Sequence, residues 1–344
     1  MGRGERPAPA APQGRAPAGR APPVNGVLAV DKPAGPTSFD VVARVRRALG
    51  GVRAGHAGTL DPAATGLLAV CLGDGLKLQQ FLVDGEKAYE AIVAFGAATD
   101  TEDAEGRVVE TGDASALDAA GVRAALPRFL GEILQTPPMY SAVRVGGRRL
   151  HEAARAGEVV ERAPRKVRVD GLELLGLEPA PGGSALGRLL VRCGKGTYVR
   201  TLAADLGRAL GVPAHLAALR RTRASGLDVE RAIGLEALEA LAAADPAALR
   251  ARVIPMADAL GFMPAVALDA RGARALVHGQ RLEPSAHIAS AAAAPAEAPG
   301  PALVRALAPD GRLVAVCAWH GSVLRPVRVL LGPADLAPEA GGAG

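Results

Sequence analysis

Short apolar, β-branched runs recur along this chain at uneven intervals, and the stretches between them carry helical spacing. That succession restricts the fold more than any other feature. NGVLAVDKPAG (25–35) is a short strand ending in a Pro-Gly turn, and GLLAVCLG (66–73) and AYEAIVAFG (88–96) are further strands. The last alternates enough to be half exposed. SFDVVARVRRALG (38–50) places Phe39, Val42, Val45 and Leu49 at helical spacing, with Thr37 or Ser38 as its cap. LDAAGVRAALPRFLG (117–131) is an amphipathic helix stopped by Gly131, and GRLLVRCGKGTYVRTLAADLGRALG (187–211) is strand, glycine turn, then helix. Strict β-α alternation is missing, so the expected fold class is α+β: a mixed, mostly antiparallel sheet with flanking helices. No repeat of fixed period is present.

The 344 residues suffice for a main domain and a smaller one. Residues 1–23 are mostly Pro, Ala, Gly and Arg, a mixture that buries too little apolar surface to offset ordering, and are expected to be a disordered tail. The main domain is expected over 24–255, with a boundary between 245 and 264. LVRALAPDGRLVAVCAW (303–319) is two strand-like runs around a Pro-Asp-Gly turn, and RPVRVLL follows, so 262–332 is expected to be a small β domain and 333–344 a tail. HIASAAAAPAEAPGPA (287–302) has the composition of a loop. Net charge is +5 with pI ≈ 9.4, a modest excess that favours polyanionic partners. Arginine counts carry little weight, because the Ala, Gly and Arg richness follows a GC-rich coding bias. Cys71, Cys193 and Cys317 form no C-x-x-C pair; they are expected to be small buried hydrophobes in a reducing cytoplasm, with no disulfide framework or zinc ribbon. The N-terminus lacks an apolar signal core and no later run reaches the roughly 18 apolar residues of a membrane span. A soluble, cytoplasmic protein is expected.

Chemistry concentrates in DKPAGPTS (31–38), GHAGTLDPAATG (55–66), KAYEA (87–91), QTPPMYSAVRVGGRRLHEAARAG (135–157) and GKGTYVRTLAADLG (194–207). Asp61 is the lone carboxylate of GHAGTLDPAATGLL and is followed at once by Pro62. Two compatible readings fit it. Asp leads the N-cap preference and Pro the first helical position, so it can start a helical turn. An ionised carboxylate can also add to a substrate carbon and leave again without metal or redox help. Arg148, Arg149, Arg165, Lys166 and Arg168 make a basic stretch that is either a solvated face or an RNA surface. The six histidines form no His/Cys cluster, so neither metal nor cofactor is expected. GKGT lacks the spacing of a nucleotide phosphate loop, because Gly196 follows Lys195.

Taken in order, these five segments resemble the TruB family of bacterial tRNA pseudouridine synthases, from about Gly26 to Leu227 and more loosely through a C-terminal domain of PUA-like kind. The resemblance implies a pseudouridine synthase fold with an RNA-binding cleft, and isomerisation of the T-loop uridine at position 55 of tRNA by a cofactor-free, aspartate-dependent route. It implies Asp61 as the catalytic acid, Arg200 as the cation that keeps it ionised, and Tyr89 as the ring that stacks on the target base. His56 is implied to contact the RNA, Lys32 to orient the glycine-bearing loop or touch phosphate, and Leu219 to line the base pocket. Arg220, with Arg221 and Arg223, follows as a phosphate candidate. The partner is then the tRNA T-arm, with no membrane, and the protein is expected to be a monomer. The chain departs from the pattern at Ala57, where threonine is common, and in the Ala-Pro stretch near 290. A guided relative working inside a small-nucleolar ribonucleoprotein is disfavoured, since the C-terminal segment lacks a lysine-rich extension.

Overall fold

β1 (Gly26–Lys32), β2 (Ala54–Ala57) and β3 (Thr65–Leu72) form an antiparallel ladder, and α1 (Ser38–Ala48) lies between β1 and β2 in the chain. The computed structural model describes residues 23–141, 144–145, 148–150, 158, 160–283, 287–291 and 302–336. The expected tails lie largely outside these residues, as do the side chains of Arg148 and Arg149. Among the described residues ten strands make one sheet, ordered Ile233–Gly234, β1, β3, Ala214–Ala224, β4 (Lys87–Phe95), Ser184–Cys193, Arg165–Ala180 and Gly131–Gln135; β2 joins it at β3 and Leu227–Asp228 at Ala214–Ala224. Only β1 with Ile233–Gly234 and β3 with Arg220–Arg221 pair in parallel. The sheet is mixed and mostly antiparallel, as expected.

The sheet forks at β3. Thr65 and Gly66 pair with Arg220 and Arg221, whereas Ala69–Leu72 pair with β2, so the strand changes neighbour along one edge. The loop of residues 58–64 leaves β2 and re-enters β3 at this fork. Close approach of the two backbones requires glycine: a Cβ on Gly66 would stand 2.3 Å from the Arg221 carbonyl oxygen, at φ +99. β3 is apolar on both faces because both are covered. Leu68, Val70 and Leu72 face α1, and Ala69 and Cys71 face a second core with Phe81 and Leu82.

β4 alternates, burying Lys87, Tyr89, Ala91, Val93 and Phe95 and leaving Glu90 exposed. The helix Val199–Leu210 packs on that buried face through Leu202, Ala203 and Leu206, and ends at Gly211 with φ 73. α1 begins with a capping box, Thr37 with Asp40. Its buried positions are Ser38, Val41, Val42 and Val45, so the apolar face is rotated from the expected one and Phe39 stands 75% exposed. The expected helix over 117–131 is α-helical only from Ala119 to Ala125; Pro127 removes an amide donor and the chain continues as a 3₁₀ turn, Leu126–Phe129.

Toward the C-terminus five strands among the described residues form a second sheet, ordered Ile288–Ala291, Ala265–Leu268, Leu303–Leu307, Leu313–His320 and Val323–Val329. Residues 288–291 are therefore a strand where composition alone indicated loop; they pair with Ala265–Leu268. This sheet has its own core around Val266, Leu276, Val304 and Leu324. It also packs Leu313, Val316 and Leu330 against Val27, Cys71 and Phe81 of the first sheet's layer. All three cysteines are buried. No helix among the described residues is long and apolar enough to cross a membrane.

Candidate active site

The loop of residues 58–64 sits in the fork, where its carbonyl groups cannot all find strand partners, and buried side chains supply the missing donors. Lys32, fully buried at the end of β1, donates from Nζ to the carbonyls of Ala64 (2.7 Å), Pro62 (2.9 Å) and Pro33 (3.0 Å). Arg221, 1% exposed, donates to Leu67 O (2.7 Å), Gly58 O (3.0 Å) and Thr59 O (3.3 Å). Ser38 Oγ closes the other side, donating to Leu60 O (3.0 Å) and accepting from Leu60 N (2.9 Å). The Gly35 amide donates to Pro62 O. With its backbone held at residues 58, 59, 60, 62 and 64, the loop presents one charged side chain outward, that of Asp61.

No helix follows Asp61. The Ala64 amide donates to the Asp61 carbonyl in a bend, so the carboxylate is not spent on an N-cap and the expected helical turn is absent. The tight return into β3, which begins at Thr65, leaves no room for one. The Asp61 side chain is 46% exposed, and Oδ2 stands 3.1 Å from Arg200 Nη2. Arg200 lies in the first turn of Val199–Leu210 and is itself only 8% exposed at the side chain. It is shared: Nη1 donates to Asp103 Oδ2 (3.2 Å) and Nη2 to Tyr140 O (2.9 Å), and the Tyr198 ring lies 5.9 Å from its guanidinium carbon. Asp103 is fixed in turn by the Thr101 hydroxyl (2.6 Å) and the Glu105 amide (3.1 Å). One enclosed guanidinium thus bridges an inner, fixed carboxylate and an outer one open to a substrate.

Tyr89 is 9% exposed and belongs to the same buried core as Leu60 and Ala91. Burial raises its phenol above the ordinary value, with the Arg221 guanidinium pulling the other way, so it is protonated at neutral pH. Lys32 is lowered from the usual lysine range by burial, and the Asp61 charge opposes that fall. His56, in β2, is half-buried and held below the ordinary imidazole value by burial and by Arg221. Its Nδ1 has no hydrogen-bond partner among the described residues, and its ring meets Phe39 edge to face at 5.2 Å and 82°. Leu219 and Arg220 border a cavity of about 290 Å³ with Ala63, Thr65, Glu90 and Arg188.

The structure sets Arg200, Tyr89 and Lys32 around Asp61, and His56 near Arg221, and it changes the reading of three arginines, Arg220, Arg221 and Arg223. Of the two roles the resemblance gives Lys32, the hydrogen bonds fit the first: enclosed by carbonyls, it orients the glycine-bearing loop and does not reach a phosphate. Arg221, read as a phosphate candidate, is buried in the fork. Arg220 is held in a bidentate pair with Asp31 (2.8 and 3.0 Å) and Arg223 pairs with Asp228 (2.7 Å), so each meets solvent already neutralised. Asp103 was missed; in an acidic loop rich in Thr and Asp, nothing marks the carboxylate that turns inward.

Comparison with known proteins gives one answer along the length of the chain. The description "TruB family pseudouridylate synthase (N terminal domain)" matches residues 46–199, "tRNA pseudouridylate synthase B C-terminal domain" residues 200–261, and "tRNA Pseudouridine synthase II, C terminal" residues 263–331. A protein of Ralstonia nicotianae named tRNA pseudouridine synthase B is 44% identical over 89% of this chain and 94% of its own length. One of the same name from Symbiobacterium thermophilum is 51% identical over 74% of this chain and 82% of its own length. Among solved structures, a Cbf5-Nop10-Gar1 complex aligns with TM-score 0.69 and 28% identity over 92% of this chain and 88% of that one. An H/ACA RNP bound to a substrate RNA containing 2'-deoxyuridine aligns with TM-score 0.67 and 27% identity over 91% and 87%.

Proposed function

Because this chain belongs to the TruB family of pseudouridylate synthases, we propose that it isomerises the T-loop uridine at position 55 of tRNA to pseudouridine, with Asp61 as the nucleophile. The observation that carries the assignment of the acid is the Asp61–Arg200 pair: a half-exposed carboxylate 3.1 Å from a guanidinium that is itself enclosed. The reaction breaks the N1–C1′ bond, turns the base, forms C5–C1′ and moves the C5 proton to N1, so atoms and electrons balance without a co-reactant. It needs a group that holds one half of the nucleoside while the other reorients. Whether the oxygen enters at the sugar or at the ring, it must be ionised and directed. Arg200 supplies the charge, and the side-chain clamps on residues 58–64 supply the direction.

Tyr89 offers its buried ring as the surface on which an extruded base rests, and its neutral hydroxyl passes a proton at C5. His56 and Leu219 bound the entry, and Arg220 contributes through its outer edge while paired with Asp31. We assign catalysis to residues 24–255 and an RNA-gripping role to the C-terminal sheet of residues 262–332, a PUA-like unit that steadies the T-arm. The protein works as a monomer in the cytoplasm. Identities of 44–51% to proteins named tRNA pseudouridine synthase B, against 26–28% to Cbf5 structures, favour free tRNA over a guided substrate. Incubating the purified protein with an unmodified tRNA transcript and mapping pseudouridine chemically tests this: product at the T-loop uridine is expected, and no product there, or product elsewhere only, overturns it.

A further inference from the structure

We propose that Phe39 is a second stacking surface, which takes an unstacked nucleobase flanking the target uridine; the inference rests on the tRNA reading above. Phe39 is one of five phenylalanines in the chain and stands 75% exposed on the first turn of α1. Single exposed apolar residues are ordinary on protein surfaces. Phe39 differs in two respects. The first is its link to the nucleophile: Ser38, its neighbour, is locked to Leu60 by two hydrogen bonds of 2.9 and 3.0 Å, and Leu60 precedes Asp61. The ring is therefore fixed to the same scaffold as the carboxylate. The second is the edge-to-face contact with His56 at 5.2 Å and 82°, which sets the plane of the ring without covering it.

A restrained, uncovered aromatic ring beside a base-extruding cleft offers a π-face and no hydrogen-bond group, which suits any base and no phosphate. The charge nearest in sequence is also engaged. Asp40 accepts from the Thr37 amide (2.9 Å) and the Thr37 hydroxyl (2.7 Å), so a base approaching Phe39 meets a capped carboxylate rather than a free one. When the target leaves the stack, its neighbour loses a stacking partner, and Phe39 supplies a replacement. Base–aromatic stacking then offsets part of the cost of opening the loop.

The test uses the full chain and a T-arm stem–loop RNA, with affinity read by fluorescence anisotropy and single-turnover pseudouridine formation read in parallel. Phe39→Ala weakens RNA binding about 5- to 100-fold, with an unchanged melting temperature because the ring is exposed. Phe39→Trp restores binding. Phe39→Leu, apolar but without a ring, behaves as Phe39→Ala. With an abasic nucleotide on one side of the target, wild type and Phe39→Ala bind alike. Binding by Phe39→Ala within twofold of wild type, full binding by Phe39→Leu, or a Phe39→Ala defect that persists with the abasic site on either side overturns the inference. Binding without any pseudouridine formed by wild type would instead overturn the function proposed above, and the anisotropy comparison would still decide the role of Phe39.

Discussion

Replacing Arg221 by methionine removes the guanidinium donors from the fork of β3 while roughly keeping the length of the side chain. The guanidinium makes two short bonds, to Leu67 O at 2.7 Å and Gly58 O at 3.0 Å, and one long one to Thr59 O at 3.3 Å. A hydrogen bond from a charged donor contributes about 1.5–3 kcal/mol, so the two short ones amount to about 3–6 kcal/mol before any correction. Removing a charge that is 1% exposed relieves its desolvation, which returns part of that sum and leaves a net loss of about 2–4 kcal/mol. For a chain of this length, at about 2 °C per kcal/mol, melting should fall by about 4–8 °C. Leu67 O loses its donor, and residues 58 and 59 lose the anchor that aims Asp61, so kcat should drop more than tenfold while KM changes less. Arg223→Met is the control: its pair with Asp228 is at the surface, with the arginine side chain 55% exposed, and its loss should change neither reading measurably. Calorimetry and single-turnover assays on both variants provide the comparison. An Arg221→Met protein with wild-type melting and wild-type kcat would refute the reasoning that the fork needs this cation.

Gly66→Ala should misfold or melt far lower than wild type, because its Cβ would lie 2.3 Å from Arg221 O on a backbone at φ +99; soluble expression and circular dichroism check this. Asp103→Asn should lower kcat about tenfold or more with tRNA affinity kept, since it leaves Arg200 without its fixed carboxylate; stopped single-turnover assays with a binding measurement separate the two. Lys87, which donates to Gly85 O at 2.6 Å and to Val83 O, is lowered to about 8 by burial. Its folded form therefore sheds a proton before the unfolded one, and it adds stability as pH rises from about 8 toward the unfolded value near 10.5. Cys71 and Cys317, pushed up to about 12, act with the opposite sign above pH 9, so the reading is a difference. Urea unfolding from pH 7.5 to 10.5 should give a more positive slope for wild type than for Lys87→Met, and equal slopes would contradict the burial of a charged Lys87.

The strands and caps were legible because their signals are local. Alternation in β4 reports which side chains face the core, and Thr37 with Asp40 announces the start of α1. The phase of α1 was misjudged by one residue, since hydropathy alone turns Phe39 inward. Ser38 takes that position because its hydroxyl has two partners on Leu60, a tertiary bond no spacing rule contains. Arg221 was misjudged for a related reason. Charge suggests the surface, yet a forked strand leaves carbonyls that only a buried donor can satisfy. Asp61 and Arg200 lie 139 positions apart, so only resemblance could pair them. The same distance problem hid Asp103, for which no motif was available. Parallel pairing of β3 with Arg220–Arg221 was likewise invisible, because it depends on Gly66 allowing one backbone to touch another.

The proposed mechanism rests catalysis on one carboxylate, that of Asp61 paired with Arg200 at 3.1 Å, separately from the surfaces that hold the RNA. Asp61→Asn changes one atom's identity and removes the charge while preserving the size of the side chain. Single-turnover reaction of this variant with unmodified tRNA, alongside its dissociation constant for the same RNA, should show no pseudouridine with affinity within about tenfold of wild type, the span of about 1.4 kcal/mol. Pseudouridine formed at a rate near that of wild type would contradict the account.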